Sequence, residues 1–194
     1  MLTTILATAA LAAVPAGARQ TAAENDCTFY ALPANSNGVE AIHVECEWPE
    51  LTVVTLDTLL HKWANHQNYF GAVAQAQLLE TKGEISRVHQ RHVAAGISDR
   101  EVTLDMWRET VDKGYRYAWK NSAHQHSKWD EGNVSCPVDE GAWTVVALPR
   151  GGVKVNYDLL YDPGGWVPGF VVRSFQTGGI VTMLAELRAQ ATAR

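Results

Sequence analysis

His124-Gln125-His126 places two metal-ligating side chains one residue apart. A third donor would have to come from Asp130, Glu131 or Cys136, and the spacing matches no standard zinc motif. These histidines read as solvated loop residues, and no metal site is predicted. A second group of titratable residues, Arg87, His89, Arg91 and Asp105, falls on two neighbouring predicted strands. A catalyst could use them only if they faced a common interior. Alternation lets Arg87 and Arg91 point outward and sets His89 and His92 on opposite faces. G-x-S-x-G, P-loop and G-x-G-x-x-G signatures are absent, so no catalytic residue is assigned.

The three cysteines are Cys27, Cys46 and Cys136. Cys27 and Cys46 flank a predicted hairpin turning near Ser36-Asn37-Gly38, and stand almost equally far from it along the chain. They are expected to face one another and form a disulfide, which leaves Cys136 unpaired. Leu2 to Val14 is an apolar stretch too short to span a bilayer, and Ala16-Gly17-Ala18 is an A-x-A cleavage pattern. The expected division is a signal peptide over 1–18, a polar linker over 19–25 and one domain over 26–194. That organisation predicts a periplasmic or secreted protein, where disulfides persist. The formal net charge is −5, which gives no electrostatic reason to bind nucleic acid.

The elements that must position any site are legible from periodicity. Leu56, Leu59, Leu60 and Trp63 recur at i, i+3, i+4 and i+7, which predicts a helix over Thr55–Asn65 capped by Thr55 or Asp57. From Val73 onward the period becomes two. Strands are predicted at Val73–Thr81, Glu84–Ala94, Glu101–Thr110, Tyr115–Ser122, Gly141–Pro149 and Val153–Tyr161, after an earlier pair at Cys27–Leu32 and Val39–Glu47. Asp162-Pro163-Gly164-Gly165 is a strong turn signal. Pro168 then suits the first turn of a long apolar helix, which Gly178-Gly179 should kink or break. The predicted class is α+β: a long antiparallel sheet that must curl, with the terminal helix covering its concave face. Whether the space between them is filled or hollow is left open by the pattern.

Two motifs carry a resemblance. ISDRE at Ile97–Glu101 leads a strand ending in Met106-Trp107-Arg108, and YDPGGWVPGFVVRSF at Tyr161–Phe175 leads MLAELR at Met183–Arg188. With the element order over about residues 26–190, they resemble the START lipid-transfer domains, within the wider helix-grip superfamily that includes polyketide cyclases. The resemblance implies a START-like, helix-grip fold, a hollow interior holding one lipid, and no cofactor. It also implies a movable loop near the cavity, matched here to Asn121–Asn133. In some sterol-binding members a buried acid and base sit on adjacent strands. The position corresponding to the base falls at Asp105–Met106, which holds no arginine, so Arg87 or Arg91 would have to substitute.

On that resemblance the cavity wall is expected from Val167, Phe170, Val171, Phe175, Ile180 and Met183 on the terminal segment. Tyr115, Tyr117 and Trp119 share a face of one strand, and Tyr157 belongs to the matching face of another. Trp166 is expected at the turn or the cavity mouth. The expected ligand is a sterol, phospholipid or fatty acyl lipid, carried by a monomer that touches membranes only transiently. Two rivals remain: a cyclase- or hydrolase-like enzyme using Arg87, His89, Arg91 and Asp105, and a solid-cored interaction module presenting Tyr69, Phe70 and Trp129.

Overall fold

The computed structural model describes residues 14–36, 38–167 and 178–194. Strands β1 (Arg19–Glu24), β2 (Cys27–Ala31), β3 (Ile42–Trp48), β4 (Val73–Lys82), β5 (Ile85–His92), β6 (Arg100–Val111) and β7 (Gly114–Asn121) come first. The set ends with β8 (Val134–Ser135), β9 (Val138–Ala147) and β10 (Val153–Asp162). Among the described residues they form one ten-stranded sheet in the order β1-β2-β3-β10-β9-β7-β6-β5-β4, with β8 parallel to β6 at its side. The remaining pairings are antiparallel. β10 joins the two halves of the chain, pairing Val153 with both Trp48 of β3 and Ala147 of β9.

The expected linker over 19–25 is corrected. Residues 19–24 are β1, whose register with β2 runs from Arg19↔Ala31 to Glu24↔Cys27. Its side chains are almost all exposed, so the strand is held by its backbone ladder, and the sequence carries no apolar alternation to reveal it. In the β6–β7 turn Lys113 takes the left-handed conformation, and Gly114 after it is required by the close approach of β9. A Cβ on Gly114 would lie 1.9 Å from the Val145 carbonyl oxygen.

Helix α1 covers Val53–Leu60 and buries Leu56, Leu59 and Leu60. Its cap is Thr52, not Thr55 or Asp57; the Thr52 hydroxyl accepts the Thr55 N–H at 3.1 Å. The helix does not reach Asn65. Lys62 leaves the helical region with φ −94° and ψ 71°, and a 3-10 helix over Trp63–Asn68 follows. Asp57 instead binds α1 to the sheet, accepting from Arg108 Nη1 at 2.9 Å and from the Tyr117 hydroxyl at 2.8 Å.

The terminal helix α2 covers Ile180–Thr192 and buries Ile180, Leu184, Leu187 and Ala191 at helical spacing. A widened, π-type turn occupies Gly178-Gly179, where the double glycine predicted an interruption. The predicted first turns of this helix, with Phe170, Val171 and Phe175, lie outside the described residues. Arg188 fastens α2 to the start of the domain through Glu50 at 2.6 Å and Asp26 at 2.9 Å. The curved sheet around this helix is the α+β arrangement expected. Cys27 and Cys46 are register partners on β2 and β3 and are joined by a disulfide, while Cys136 is free and buried. Among the described residues no helix is long and apolar enough to cross a membrane.

Candidate functional site

Register decides which side chains look inward. On β5 they are Val88, Gln90 and His92, whose partners on β6 are Leu104, Val102 and Arg100. Met106 pairs with Trp119, and Tyr117 with Trp143. Trp143 pairs with Tyr157, and Asp139 with Tyr161. One concave face therefore carries aromatic rings, aliphatic side chains and a short row of polar groups.

Between this face and α2 lies a cavity of about 130 Å³. Leu104, Met106, Trp119, Trp143 and Tyr157 form its floor. Trp143 and Tyr157 approach to 4.2 Å between ring centres, and Phe70 stacks over Trp143 at 6.3 Å. His66 of the 3-10 helix and Phe70 just beyond it line one end. Val93, Ala94, Ile97, Pro163, Val167 and Met183 surround the mouth.

The polar groups form a chain across the floor. Trp119 Nε1 donates to Asp139 Oδ1 at 2.7 Å, and Asp139 Oδ2 lies 3.7 Å from His92 Nδ1. His92 Nε2 lies 2.9 Å from Gln90 Oε1. Burial raises the Asp139 carboxyl and lowers the His92 imidazole relative to their ordinary values. Burial also pulls His66 down to about 4, against the opposing pull of its bond to the Leu60 carbonyl. Tyr157 and Tyr161 are pushed well up by the same cause, so both phenols stay neutral. Arg100, itself buried, donates to the carbonyls of Ser98, Pro163 and Gly164. It thereby ties the β5–β6 loop (residues 93–99) to the 163–165 turn across the mouth.

The expected wall residues separate. Trp119, Tyr157, Val167 and Met183 line the cavity. Tyr115 lies beside Arg108, whose guanidinium is 4.5 Å from its ring centre. Tyr117 is fully buried but packs under α1, edge-on to Trp63. Ile180 is buried in α2's packing and Trp166 is 86% exposed; neither lines the cavity. Gln90, His92, Arg100 and Asp139 line it and were not expected there.

Two expectations are overturned. The Asn121–Asn133 loop does not gate this cavity. It folds over the convex face, where Glu101 accepts from the Trp129 and Asp130 amides at 2.7 and 3.1 Å and from Asn133 Nδ2 at 2.5 Å. The loop beside the mouth is the one over residues 93–99. Nor do Arg87, His89, Arg91 and Asp105 face inward. Arg87 bonds Glu80, Asp105 and Ser122, Arg91 reaches Asp99 at 3.5 Å, and His89 is held by Glu101 and Thr103, all on the convex side. Among the described residues the arginine that lines the cavity is Arg100, at the start of β6. His126 Nδ1 lies 2.7 Å from the Ser127 carbonyl oxygen. Among the described residues no group of three or more metal-ligating side chains gathers.

No family model matches the chain. An uncharacterized protein of Pseudomonas aeruginosa is 21% identical over 143 residues, 73% of this chain and 71% of that one. Among solved structures, the STAR-related lipid transfer protein of Xanthomonas axonopodis (a fragment) superposes with a TM-score of 0.73 at 18% identity, covering 89% of this chain and 99% of that one. Human StAR-related lipid transfer protein 5 gives 0.83 at 14% identity, covering 92% and 88%. The Zhui aromatase/cyclase from Streptomyces sp. R1128 gives 0.52 at 12% identity, covering 79% and 92%. The curved sheet, its inserted helix and its terminal helix thus give this chain the helix-grip fold of these START-related structures.

Proposed function

We propose that the protein binds one hydrophobic molecule between sheet and terminal helix and carries it through water outside the cytoplasm. The observation that carries this reading is the cavity itself: a mostly apolar hollow behind α2, with a few polar groups on its floor. Each buried CH2 of a ligand contributes about 0.8 kcal/mol, so a hollow of this lining favours apolar chains and rings. The likeness to lipid transfer proteins supports the same reading, and the Cys27–Cys46 disulfide supports an oxidising compartment.

The closed volume is below the roughly 300–1,000 Å³ of ordinary small-molecule pockets. A sterol or diacyl lipid therefore requires the mouth to widen. That widening separates the 93–99 loop from the 163–167 turn, with Arg100 as the link to be broken. Sterol, phospholipid and fatty acyl lipid remain the candidate cargoes, and the carrier is read as a monomer in transient contact with membranes.

Native mass spectrometry of protein purified from its own source, followed by solvent extraction, tests the proposal. A bound apolar molecule is expected. No adduct, together with no binding of sterol, fatty acid or phospholipid below about 10 μM, about −7 kcal/mol, would sink it. A second reading, a cyclase-like enzyme, is favoured only by the His92–Asp139 pair on an aromatic floor. Turnover of a polyketide-type substrate that is lost in His92→Phe would support it.

A further inference from the structure

Two polar atoms of the cavity face one another without bonding. His92 Nδ1 and Asp139 Oδ2 are 3.7 Å apart, too far for a hydrogen bond. The other atom of each group is already engaged. Asp139 Oδ1 accepts from Trp119 Nε1 at 2.7 Å, and His92 Nε2 meets Gln90 Oε1 at 2.9 Å. An amide oxygen only accepts, so that nitrogen carries the proton and Nδ1 keeps a bare lone pair. Neither group can swing towards the other without giving up a bond it has.

Both atoms are within reach of a guest. The two residues line the hollow, and 17% of the His92 side chain and 5% of the Asp139 side chain remain accessible. Neither facing atom is among the buried polar atoms of the described residues that lack both a partner and open surface. An oxygen about 2.8 Å from each fits the span. It must also bring a proton. With the carboxyl ionised both facing atoms are acceptors; with it protonated, the guest must accept from Oδ2 and donate to Nδ1. A hydroxyl meets either demand, whereas a ketone or ether oxygen leaves Nδ1 unpaired. A ligand carboxylate would meet Asp139 and Glu40 in the same lining, which disfavours a second negative charge. We infer that the cavity selects, among apolar molecules, an uncharged alcohol whose hydroxyl sits between His92 Nδ1 and Asp139 Oδ2. This rests on the apolar-cargo reading above and chooses within it.

The test titrates the full folded protein with a medium-chain primary alcohol and with the alkane of equal carbon number, followed by tryptophan fluorescence. His92→Phe is expected to weaken the alcohol about tenfold, the usual scale for one buried hydrogen bond, and to leave the alkane unchanged. Should His92→Phe fail to fold, the imidazole nitrogen resonances of isotope-labelled wild type decide. A lone pair that accepts a hydrogen bond resonates upfield of a free one, so the alcohol should move the Nδ1 signal and the alkane should not. Equal effects of the substitution on the two probes, or a Nδ1 signal that the alcohol leaves in place, overturn the inference and leave apolar binding standing. Binding of neither probe overturns both.

Discussion

His89 Nε2 sits 2.8 Å from Glu101 Oε2 beneath the 122–133 loop, on the side of the sheet away from the cavity. Glu101 also accepts from Trp129, Asp130 and Asn133, so one buried carboxylate fastens the whole loop. Burial works to raise its pKa, but these donors outweigh it and hold the group below the ordinary carboxylate value. Glu101→Gln is expected to lower stability by about 3 kcal/mol, because bonds to a charged acceptor are lost and a donor is placed among donors. Amide exchange at Trp129 and Asp130 should accelerate, while ligand affinity is unchanged. Denaturant unfolding with native-state exchange checks this; an unaltered loop would refute it.

His66 gives the fold a pH dependence. Its folded value is about 4 against 6.5 for the free side chain. Below 6.5 the unfolded chain takes up a proton that the folded one refuses, so stability is full above that pH and falls as pH drops towards 4. The loss should reach about 3 kcal/mol at 1.36 kcal/mol per pKa unit. His66→Gln, which keeps a donor for the Leu60 carbonyl, is expected to flatten the curve in that window. Urea midpoints measured across the window decide it, and parallel curves would count against it.

The Cys27–Cys46 bridge encloses a segment with a sequence separation of 19. Chain-entropy reasoning assigns a loop of that size about 3 kcal/mol. Melting in reductant should therefore fall well below melting without it, and Cys27→Ala/Cys46→Ala should match the reduced protein. Identical melts would mean that the thiols are not joined in solution.

Tyr117 and Trp119 share a face but do different work. Tyr117→Phe removes the bond to Asp57 and should cost about 1–3 kcal/mol without changing ligand affinity. Trp119→Phe trims the cavity floor and should weaken binding. Binding isotherms on the two variants separate these outcomes; a Tyr117→Phe protein that binds poorly would place the phenol in the site.

Arg100 bridges the two lips of the mouth. Arg100→Gln should speed ligand exchange by about tenfold for each 1.4 kcal/mol of closure lost. Stopped-flow quenching of cavity tryptophans by a brominated lipid measures it, and an unchanged rate would assign gating elsewhere.

The hairpins, the disulfide pairing and the class of fold were legible because period-two alternation and turn glycines are local signals. β1 was not, since a polar edge strand is held by its ladder alone. The polar floor was missed for another reason. On β5, Arg87, His89, Gln90, Arg91 and His92 are polar on both faces, so alternation pairs them without saying which side is inside. Only the register with Leu104 and Arg100 on β6 turns Gln90 and His92 inward. The loop over 121–133 was set beside the cavity by the resemblance alone, whereas its polar groups serve Glu101 and Thr103 on the other face.

Among the described residues β10 is the last strand, yet it alone connects β1–β3 to the rest of the sheet. During synthesis the first three strands have no partner across that seam until Val153–Asp162 emerges. Closure is thus a late event between distant parts of the polypeptide, which slows folding.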